Sequence, residues 1–333
     1  MHPNLFVSYW RSTCKFVILS QSIHREISIS RDSSVATDIF IGVDGGGTKC
    51  KVRVEDHHGI LLSHGEGGPA NIRLSVAQSW ASIYQALNNA LDKLKINLQD
   101  SRYRFHVGMG LAGCEVTEAY DEFLAHAHSF ATVQLTTDAH VACLGAHHGK
   151  DGAVIIVGTG VVAYQIQNGV SSKVGGWGFP HDDEGGGAWL GMEACRLTCQ
   201  WLDKRIDESK LAQDTFAYFN DDVESFLLWT NRANSSEFAK LAPLVINHSQ
   251  TAEPYAVALI QRAAFAVDQM AVALGKMQIT GTQPLPICLF GGVAPFVEPW
   301  LSPSLHEHLI ARESDANVGA ILMIRQVLGQ QNL

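Results

Sequence analysis

Short apolar runs that end in glycine alternate along this chain with longer stretches whose apolar residues recur every three or four positions. Residues 39–43 form a run of β-branched and aromatic side chains with one glycine, the mark of a buried strand. The run ends in Asp44-Gly45-Gly46-Gly47-Thr48-Lys49. Period-two alternation over 50–54 predicts a second strand, Gly59 a turn, and 60–64 a third strand, so the chain opens as a β-meander. Gly65, Gly67, Gly68 and Pro69 read as breakers of that third strand, with Asn71 in the loop that follows. Val76, Trp80, Ile83, Ala86, Leu87, Ala90, Leu91 and Leu94 recur at helical spacing and predict a helix over 76–94. A strand over 105–111 runs into Ala112-Gly113, and a helix over 117–128 follows. A strand over 133–137 ends at Asp138, before a small-residue helix over 139–147. The order is βββαβαβα.

A similar order then begins again. Residues 153–157 read as a buried strand followed by Gly158-Thr159-Gly160, 161–166 as a second strand, and Gly169 as the turn into a shorter third. After a glycine-dense stretch over 175–187, helices dominate to about residue 280, among them 189–202 and 256–277. A strand over 287–290 ends in Gly291-Gly292-Val293-Ala294-Pro295, and a last helix covers 317–328. Two turns of the form strand, glycine, hydroxyl, each opening a meander, point to an internal duplication.

A chain of 333 residues suggests one large or two medium domains. Its formal net charge of −9 argues against nucleic acid and anionic membrane as main partners. No stretch reads as a membrane span, and the apolar run 16–19 is too short for a signal-peptide core. The first 37 residues, Ser-rich over 28–34, are expected to be a poorly ordered extension. The cysteines are odd in number and form no CxxC pair, which argues against a disulfide framework or a zinc site and fits a reducing cytoplasm. His57-His58, His147-His148 and the pair His126 and His128 lack an accompanying carboxylate cluster.

The glycine turns carry the candidate chemistry. Three consecutive glycines after a strand let the backbone come close to a ligand, and amides with no side chain before them make a phosphate cradle. Asp44, at the strand end, could hold a hydrated Mg²⁺ on that phosphate, although a plain turn would also use glycine here. Gly158-Thr159-Gly160 offers a second set of amides and a hydroxyl, and Gly291-Gly292 would let the backbone lie against a flat adenine. A tight turn accounts for any one glycine pair. The set of three in this order is the signal.

That set resembles the sugar kinase, Hsp70 and actin superfamily. Asp44–Thr48 looks like its first phosphate motif, Gly158–Gly160 its second and Phe290–Pro295 its adenosine motif, while 108–113 and 316–320 look like its two connecting segments. Within it the chain is most similar, over about residues 38–328, to the N-acetylglucosamine kinases, bacterial glucosamine kinases and related activator ATPases of the BadF/BadG/BcrA/BcrD type. Thr137-Asp138, Asn71 in a Gly-Pro-Ala-Asn loop, and Gly175-Gly176-Trp177-Gly178 with Asp183-Glu184-Gly185 point to the amino-sugar kinases.

The resemblance implies an α/β, two-lobed actin-like ATPase (ribonuclease H-like) fold with a duplicated βββαβαβα core and a cleft between lobes. The lobes would be 38–150, with the last helix 316–331, and 151–315. It implies ATP-dependent phosphorylation of the 6-hydroxyl of N-acetylglucosamine, or of glucosamine, by a cytoplasmic homodimer that uses ATP and Mg²⁺. Asp138 would be the catalytic base, although it also precedes a helix and could cap it. Gly46, Gly47, Thr48, Lys49, Thr159, Gly160, Gly291, Gly292 and Ala294 would bind ATP, with Lys49 equally readable as a solvated lysine. Asp44 would hold Mg²⁺ through water. Asn71, Asp138, Gly176, Trp177, Gly178 and Asp183 would bind the sugar. Without the resemblance, Asn71, Trp177 and Asp183 read as a loop residue, a core residue and an N-cap.

The chain departs from the family in Gly185-Gly186-Gly187, where relatives often carry serine, in the doubled acid Asp182-Asp183, and at Val174. Two rival readings remain. An activator ATPase would need Cys195 and Cys199 as cluster ligands, and a sugar-sensing repressor would need an N-terminal helix-turn-helix and a basic face.

Overall fold

The structure is a computed structural model that describes residues 36–331. Thr37 already begins the first strand; the rest of the extension expected over 1–37, apart from Ala36, lies outside the described residues. The chain forms two compact units: described residues up to Asp151 together with those from Arg312 onward, and Gly152–Ala311. In the first unit lie β1 (Thr37–Gly45), β2 (Cys50–Asp56), β3 (Leu61–Gly67), α1 (Val76–Leu94), β4 (Tyr103–Leu111), α2 (Thr117–Ala125), β5 (Thr132–Thr137) and α3 (Asp138–Ala146). The second unit holds β6 (Gly152–Val157), β7 (Val161–Gln167), β8 (Val170–Gly175), α4 (Gly187–Leu202), α5 (Lys210–Ala217), α6 (Val223–Thr230), α7 (Ser235–Phe238), α8 (Ala242–Gln250), α9 (Pro254–Gly275), β9 (Ile287–Phe290), α10 (Ala294–Val297) and α11 (Pro303–His306). The last helix, α12 (Ala316–Gln331), returns to the first unit.

The first sheet has the order β3-β2-β1-β4-β5, with β2 antiparallel to β1 and with β4 and β5 parallel to it. Gly45 lies beside Leu111, and Leu111 beside Thr137, so β1, β4 and β5 finish on one level. The carboxyl edge of parallel strands is where open α/β sheets bind ligands. On one face, Ile39, Ile41 and Val43 pack with Trp80, Ile83 and Leu87 of α1. Helix α1 starts where the Ser75 side chain accepts a hydrogen bond from the Gln78 amide, and stops at Lys95 in the left-handed region.

The third strand differs from expectation. Gly65 and Gly67 lie within β3 and do not break it. A Cβ on either would stand 2.0 or 2.2 Å from the carbonyl oxygen of Ala86 or Ser82 in α1, so glycine here permits close contact between helix and sheet. The other face of the sheet repeats the device: a Cβ on Gly42 or Gly108 would stand 2.0 Å from the carbonyl of Asn317 or Ala320 in α12. Asn317 is buried, and its Nδ2 donates to the carbonyls of Gly42 at 3.1 Å and Lys51 at 2.8 Å.

The second sheet runs β8-β7-β6-β9, with β9 parallel to β6. An isolated parallel bridge between Ile287 and Leu309 takes the outer place that β5 fills in the first sheet. The strand order is thus repeated, while the last strand shrinks to one bridge and α5–α8 intervene before β9. Helix α9 is long and apolar enough to cross a membrane by length and composition, which the sequence reading passed over. Its Leu259, Ile260, Ala263 and Val267 instead pack with Ile155, Val157, Val161 and Ala163 in the core of this unit.

Candidate active site

In the first unit the carboxyl edge gathers three of the expected side chains. Asp44 is the penultimate residue of β1. Burial pushes its carboxyl above the usual carboxylate range; Lys51 pulls it back, Asp315 pushes it further up and Lys49 opposes. A hydrated divalent cation would relieve that cost. Among the described residues no group of three or more His, Cys, Asp or Glu could hold a metal on its own. Mg²⁺ is ordinarily bound through one or two carboxylates, several waters and substrate phosphates, and Asp44 is the carboxylate that the end of β1 supplies.

The glycines after Asp44 separate into two kinds. A Cβ on Gly45 would stand 2.5 Å from Leu111 Cδ2 and 2.8 Å from Ala70 Cβ, so the fold itself requires glycine there. A Cβ on Gly46 or Gly47 would meet nothing within 4 Å, and neither residue lies in the left-handed region. The fold does not ask for glycine at these two positions, whereas a ligand lying on the backbone would. The turn is closed by the Gly46 amide donating to the Lys49 carbonyl at 3.0 Å, and Gly47, Thr48 and Lys49 are exposed at its tip.

Asp138 opens α3 directly after β5. The cap is Thr137, whose Oγ1 accepts from the His140 amide at 3.2 Å, so capping falls to the residue before Asp138. Asp138 Oδ1 accepts from the adjacent Ala139 amide at 2.8 Å. A carboxylate in a helix first turn is favoured by the positive end of the helix dipole. Asn71 bridges to Ala112 just beyond β4, and its Oδ1 accepts from the Arg73 amide at 3.1 Å. The Ala112 amide in turn donates to the Gly45 carbonyl at 2.9 Å. Asp44, Asn71 and Asp138 therefore share one edge of one sheet.

The second unit repeats the strand–glycine–hydroxyl turn. Gly158-Thr159-Gly160 joins β6 to β7, with the Gly158 amide donating to the Gly160 carbonyl at 2.9 Å. The amides of Gly187 and Ala188, at the start of α4, donate to the carbonyls of Gly158 at 2.8 Å and Thr159 at 2.9 Å. In a trans peptide the carbonyl and the next amide point in opposite directions. With the Gly158 and Thr159 carbonyls turned toward α4, the amides of Thr159 and Gly160 point away from it, and the Asp183 carboxyl packs where a Cβ on Gly160 would stand, 2.5–2.7 Å from its atoms. Beside this hairpin, Gly291 has φ +118° and a Cβ there would stand 2.3 Å from the Val157 carbonyl, so its glycine serves the fold. Gly292 has nothing within 4 Å of such a Cβ, and the Val293 amide donates to Val157 at 3.0 Å, holding the turn against the hairpin. Ala294 is buried at the start of α10.

Gly175, Gly176 and Gly178 all have positive φ and shape the turn that carries Trp177. Trp177 is 56 % exposed, which excludes the core reading of this residue. Asp182 closes the turn: its Oδ2 accepts from the Trp177 amide at 2.8 Å and its own amide donates to the Gly178 carbonyl at 3.1 Å. Asp183 is buried with φ +68°, and its Oδ1 accepts from the Val161 amide at 3.1 Å. It reaches the phosphate hairpin and does not cap a helix, since the N-cap of α4 is Gly186. The closing role of Asp182, the amides at the start of α4 and the anchor Asn317 were not foreseen. The doubled acid was the signal for Asp182, and a lone amide at the head of an apolar helix the signal for Asn317.

The profile of the BadF/BadG/BcrA/BcrD ATPase family matches residues 41–323. Glucosamine kinase GspK of Vibrio cholerae is 32% identical over 283 residues, which span 85% of this chain and 94% of that protein. The N-acetyl-D-glucosamine kinase of Dictyostelium discoideum is 26% identical over 78% of this chain and 86% of its own. A crystal structure from Chromobacterium violaceum, described as a candidate N-acetylglucosamine kinase, is 33% identical with a TM-score of 0.79, covering 86% of this chain and 98% of that one. With the family profile matched across most of its length and a relative 32% identical over 85% of it, this chain belongs to the BadF/BadG/BcrA/BcrD ATPase family.

Proposed function

We propose that this protein is an ATP-dependent amino-sugar kinase that phosphorylates the 6-hydroxyl of N-acetylglucosamine. Relatives named as kinases of glucosamine and N-acetylglucosamine, matched over most of both chains, support the amino-sugar kinase class. The observation that carries the mechanism is the common level at which β1, β4 and β5 end, which puts Asp44, Asn71 and Asp138 on one edge.

In this reading Asp138 accepts the proton of the 6-hydroxyl, whose oxygen then bonds to the γ-phosphorus of ATP as the bond to the β-phosphate oxygen breaks. Asn71, Asp183 and the Gly176-Trp177-Gly178 turn hold the sugar, with the exposed indole as a platform for its apolar face. The amides of Gly46, Gly47, Thr159 and Gly160, the hydroxyls of Thr48 and Thr159, and Lys49 hold the phosphates. Gly291, Gly292 and Ala294 line the adenosine. Asp44 would hold Mg²⁺ through water, and the metal would neutralise phosphate charge.

The two adjacent acids bear on specificity. Asp182 and Asp183 each accept a backbone amide of the loops they hold. Each uses one carboxylate oxygen on the backbone and keeps further acceptor capacity, so the choice of the acetylated sugar rests on the relatives named as N-acetylglucosamine kinases. The second reading, glucosamine, is favoured by the relative from Vibrio cholerae. The activator-ATPase reading fares worse: Cys195 is buried on α4 among Phe216, Phe219 and Phe226, out of reach of a cluster shared with another subunit. A cytoplasmic homodimer belongs to the same proposal. The thiols of Cys50, Cys195 and Cys199 fit a reducing compartment, and sedimentation tests the dimer.

Asp138→Asn tests the mechanism. Loss of a general base lowers turnover by about 10²–10⁴-fold, while affinity for a non-hydrolysable ATP analogue stays near wild type. Near-normal turnover would remove Asp138 from the role of base.

A further inference from the structure

Lys49 and Lys51 are two residues apart, yet strand pairing gives them different surroundings. β1 and β2 are antiparallel, with Asp44 opposite Lys51 and Gly45 opposite Cys50. Directly opposite residues of such a pair share a face, with Cβ atoms about 4.5–5.5 Å apart. Val43, Cys50 and Val52 pack in the core beneath α1, whereas Phe40 packs with Ile321 and Ile324 of α12. Alternation along each strand therefore puts Asp44 and Lys51 together on the α12 side. Lys49 precedes β2 and is exposed at the tip of the glycine turn. The backbone of Lys51 is fixed by the strand ladder and by Asn317, whose Nδ2 donates to the Lys51 carbonyl at 2.8 Å. Its side chain is half-buried, and among the described residues its ammonium has no hydrogen-bond or ion-pair partner. Burial raises the Asp44 carboxyl most, and of the charges that act on it Lys51 is the strongest, ahead of Asp315 and Lys49.

Building on the amino-sugar kinase reading, we propose that Lys51, more than Lys49, is the side-chain cation that binds the terminal phosphates of the nucleotide, and that it serves as counter-ion to Asp44 in their absence. With a hydrated Mg²⁺ on Asp44, an ammonium on the same face is repelled unless an anion stands between the two cations. The β- and γ-phosphates are that anion. Lysine suits the place because its ammonium is a compact point charge on a flexible stem, able to turn from a carboxylate to a phosphate. A strand holds the Cα of Lys51 in place, whereas Lys49 must bring its charge from an exposed turn.

Lys51→Met removes the charge, Lys51→Gln removes it from a side chain that stays polar, and Lys51→Arg restores it; Lys49→Met is the comparison. Calorimetry measures affinity for a non-hydrolysable ATP analogue with Mg²⁺, for ADP in EDTA and for AMP, and thermal melts confirm that each variant is folded. Lys51→Met and Lys51→Gln are expected to bind the analogue about 10-fold or more weakly than wild type, the effect of one lost charge-assisted hydrogen bond. ADP in EDTA weakens too, because the contact is to phosphate and not through the metal, while affinity for AMP holds. Lys51→Arg recovers most of the loss, and Lys49→Met loses less than Lys51→Met. Wild-type affinity for the analogue in Lys51→Met overturns the proposal, as does an equal or larger loss in Lys49→Met. A loss confined to the Mg²⁺-loaded analogue also overturns it, since Lys51 would then act only through Asp44. So does an equal loss for AMP, which would mark general damage to the site. Wild-type protein that binds none of the three nucleotides overturns the kinase reading along with it.

Discussion

Replacing Gly47 with alanine should raise stability slightly and damage nucleotide use, while the same change at Gly45 should lower stability. At Gly47 a new Cβ meets nothing within 4 Å and the backbone lies outside the left-handed region, so the methyl is tolerated in the folded state. The unfolded chain loses freedom, which stabilises by about 0.4–1 kcal/mol. For a unit of this size that raises Tm by about 1–4 °C. At Gly45 a Cβ would come within 2.5 Å of Leu111 Cδ2 and 2.8 Å of Ala70 Cβ, inside contact distance on two sides. Overpacking of that kind costs about 1–3 kcal/mol and lowers Tm by about 2–12 °C. The functional effect runs the other way for Gly47. A methyl between the backbone and a phosphate removes a charge-assisted hydrogen bond and raises KM for ATP by about 10-fold or more. The assays are thermal melts without nucleotide and KM for ATP at saturating sugar. A Gly47→Ala protein that melts as low as Gly45→Ala, or that keeps the wild-type KM, would refute the division of these glycines into structural and ligand-facing kinds.

Other consequences follow from the same geometry. Asn317→Ala strands the carbonyls of Gly42 and Lys51 and should cost about 1–3 kcal/mol in denaturant unfolding of the first unit; a change within error would show that α12 docks without this anchor. Burial alone would raise the Asp38 carboxyl, but hydrogen bonds and charge from Arg104 and His106 outweigh it and hold it below the usual range. Because the folded value is lowered, the stabilisation is present above the ordinary carboxylate pKa and is lost as pH falls through the folded one. Asp38→Asn should flatten that acid limb by under about 1 kcal/mol, discounted because the pair is partly exposed, and an unchanged acid limb would count against it. Burial first pushes the thiols of Cys50 and Cys195 up to about 12, with Asp44 and Cys199 respectively adding to it. Both should resist iodoacetamide at neutral pH in folded protein, and alkylation at the rate of a free thiol would contradict that.

Much of the fold was legible because its signals are local. The spacing of Trp80, Ile83, Leu87 and Leu91 defined α1 to its observed limits, and the βββαβαβα order of the first unit followed from strand and helix periodicity. What could not be read were contacts made at a distance. Gly65 and Gly67 looked like breakers because a glycine in sequence gives no sign of a helix backbone packed over it. Gly45, Gly46 and Gly47 look alike in sequence, and only their neighbours distinguish them. Asp138 looked like a possible cap because Thr137, one residue earlier, has equal claim, and hydrogen-bond geometry decides between them. The shrinking of the last strand to the Leu309 bridge, and the reach of Asp183 to Val161, depend on where loops lie in space.

The most direct test is ADP release with ATP and Mg²⁺ by wild-type protein, comparing N-acetylglucosamine, glucosamine and glucose and locating the phosphate on the product. The account predicts a kcat/KM highest for N-acetylglucosamine, well above that for glucose, with phosphate on the 6-hydroxyl. A preference for glucosamine would overturn the acetyl-sugar assignment and keep the mechanism, whereas turnover of none of the three sugars would contradict the claim that this protein is an amino-sugar kinase.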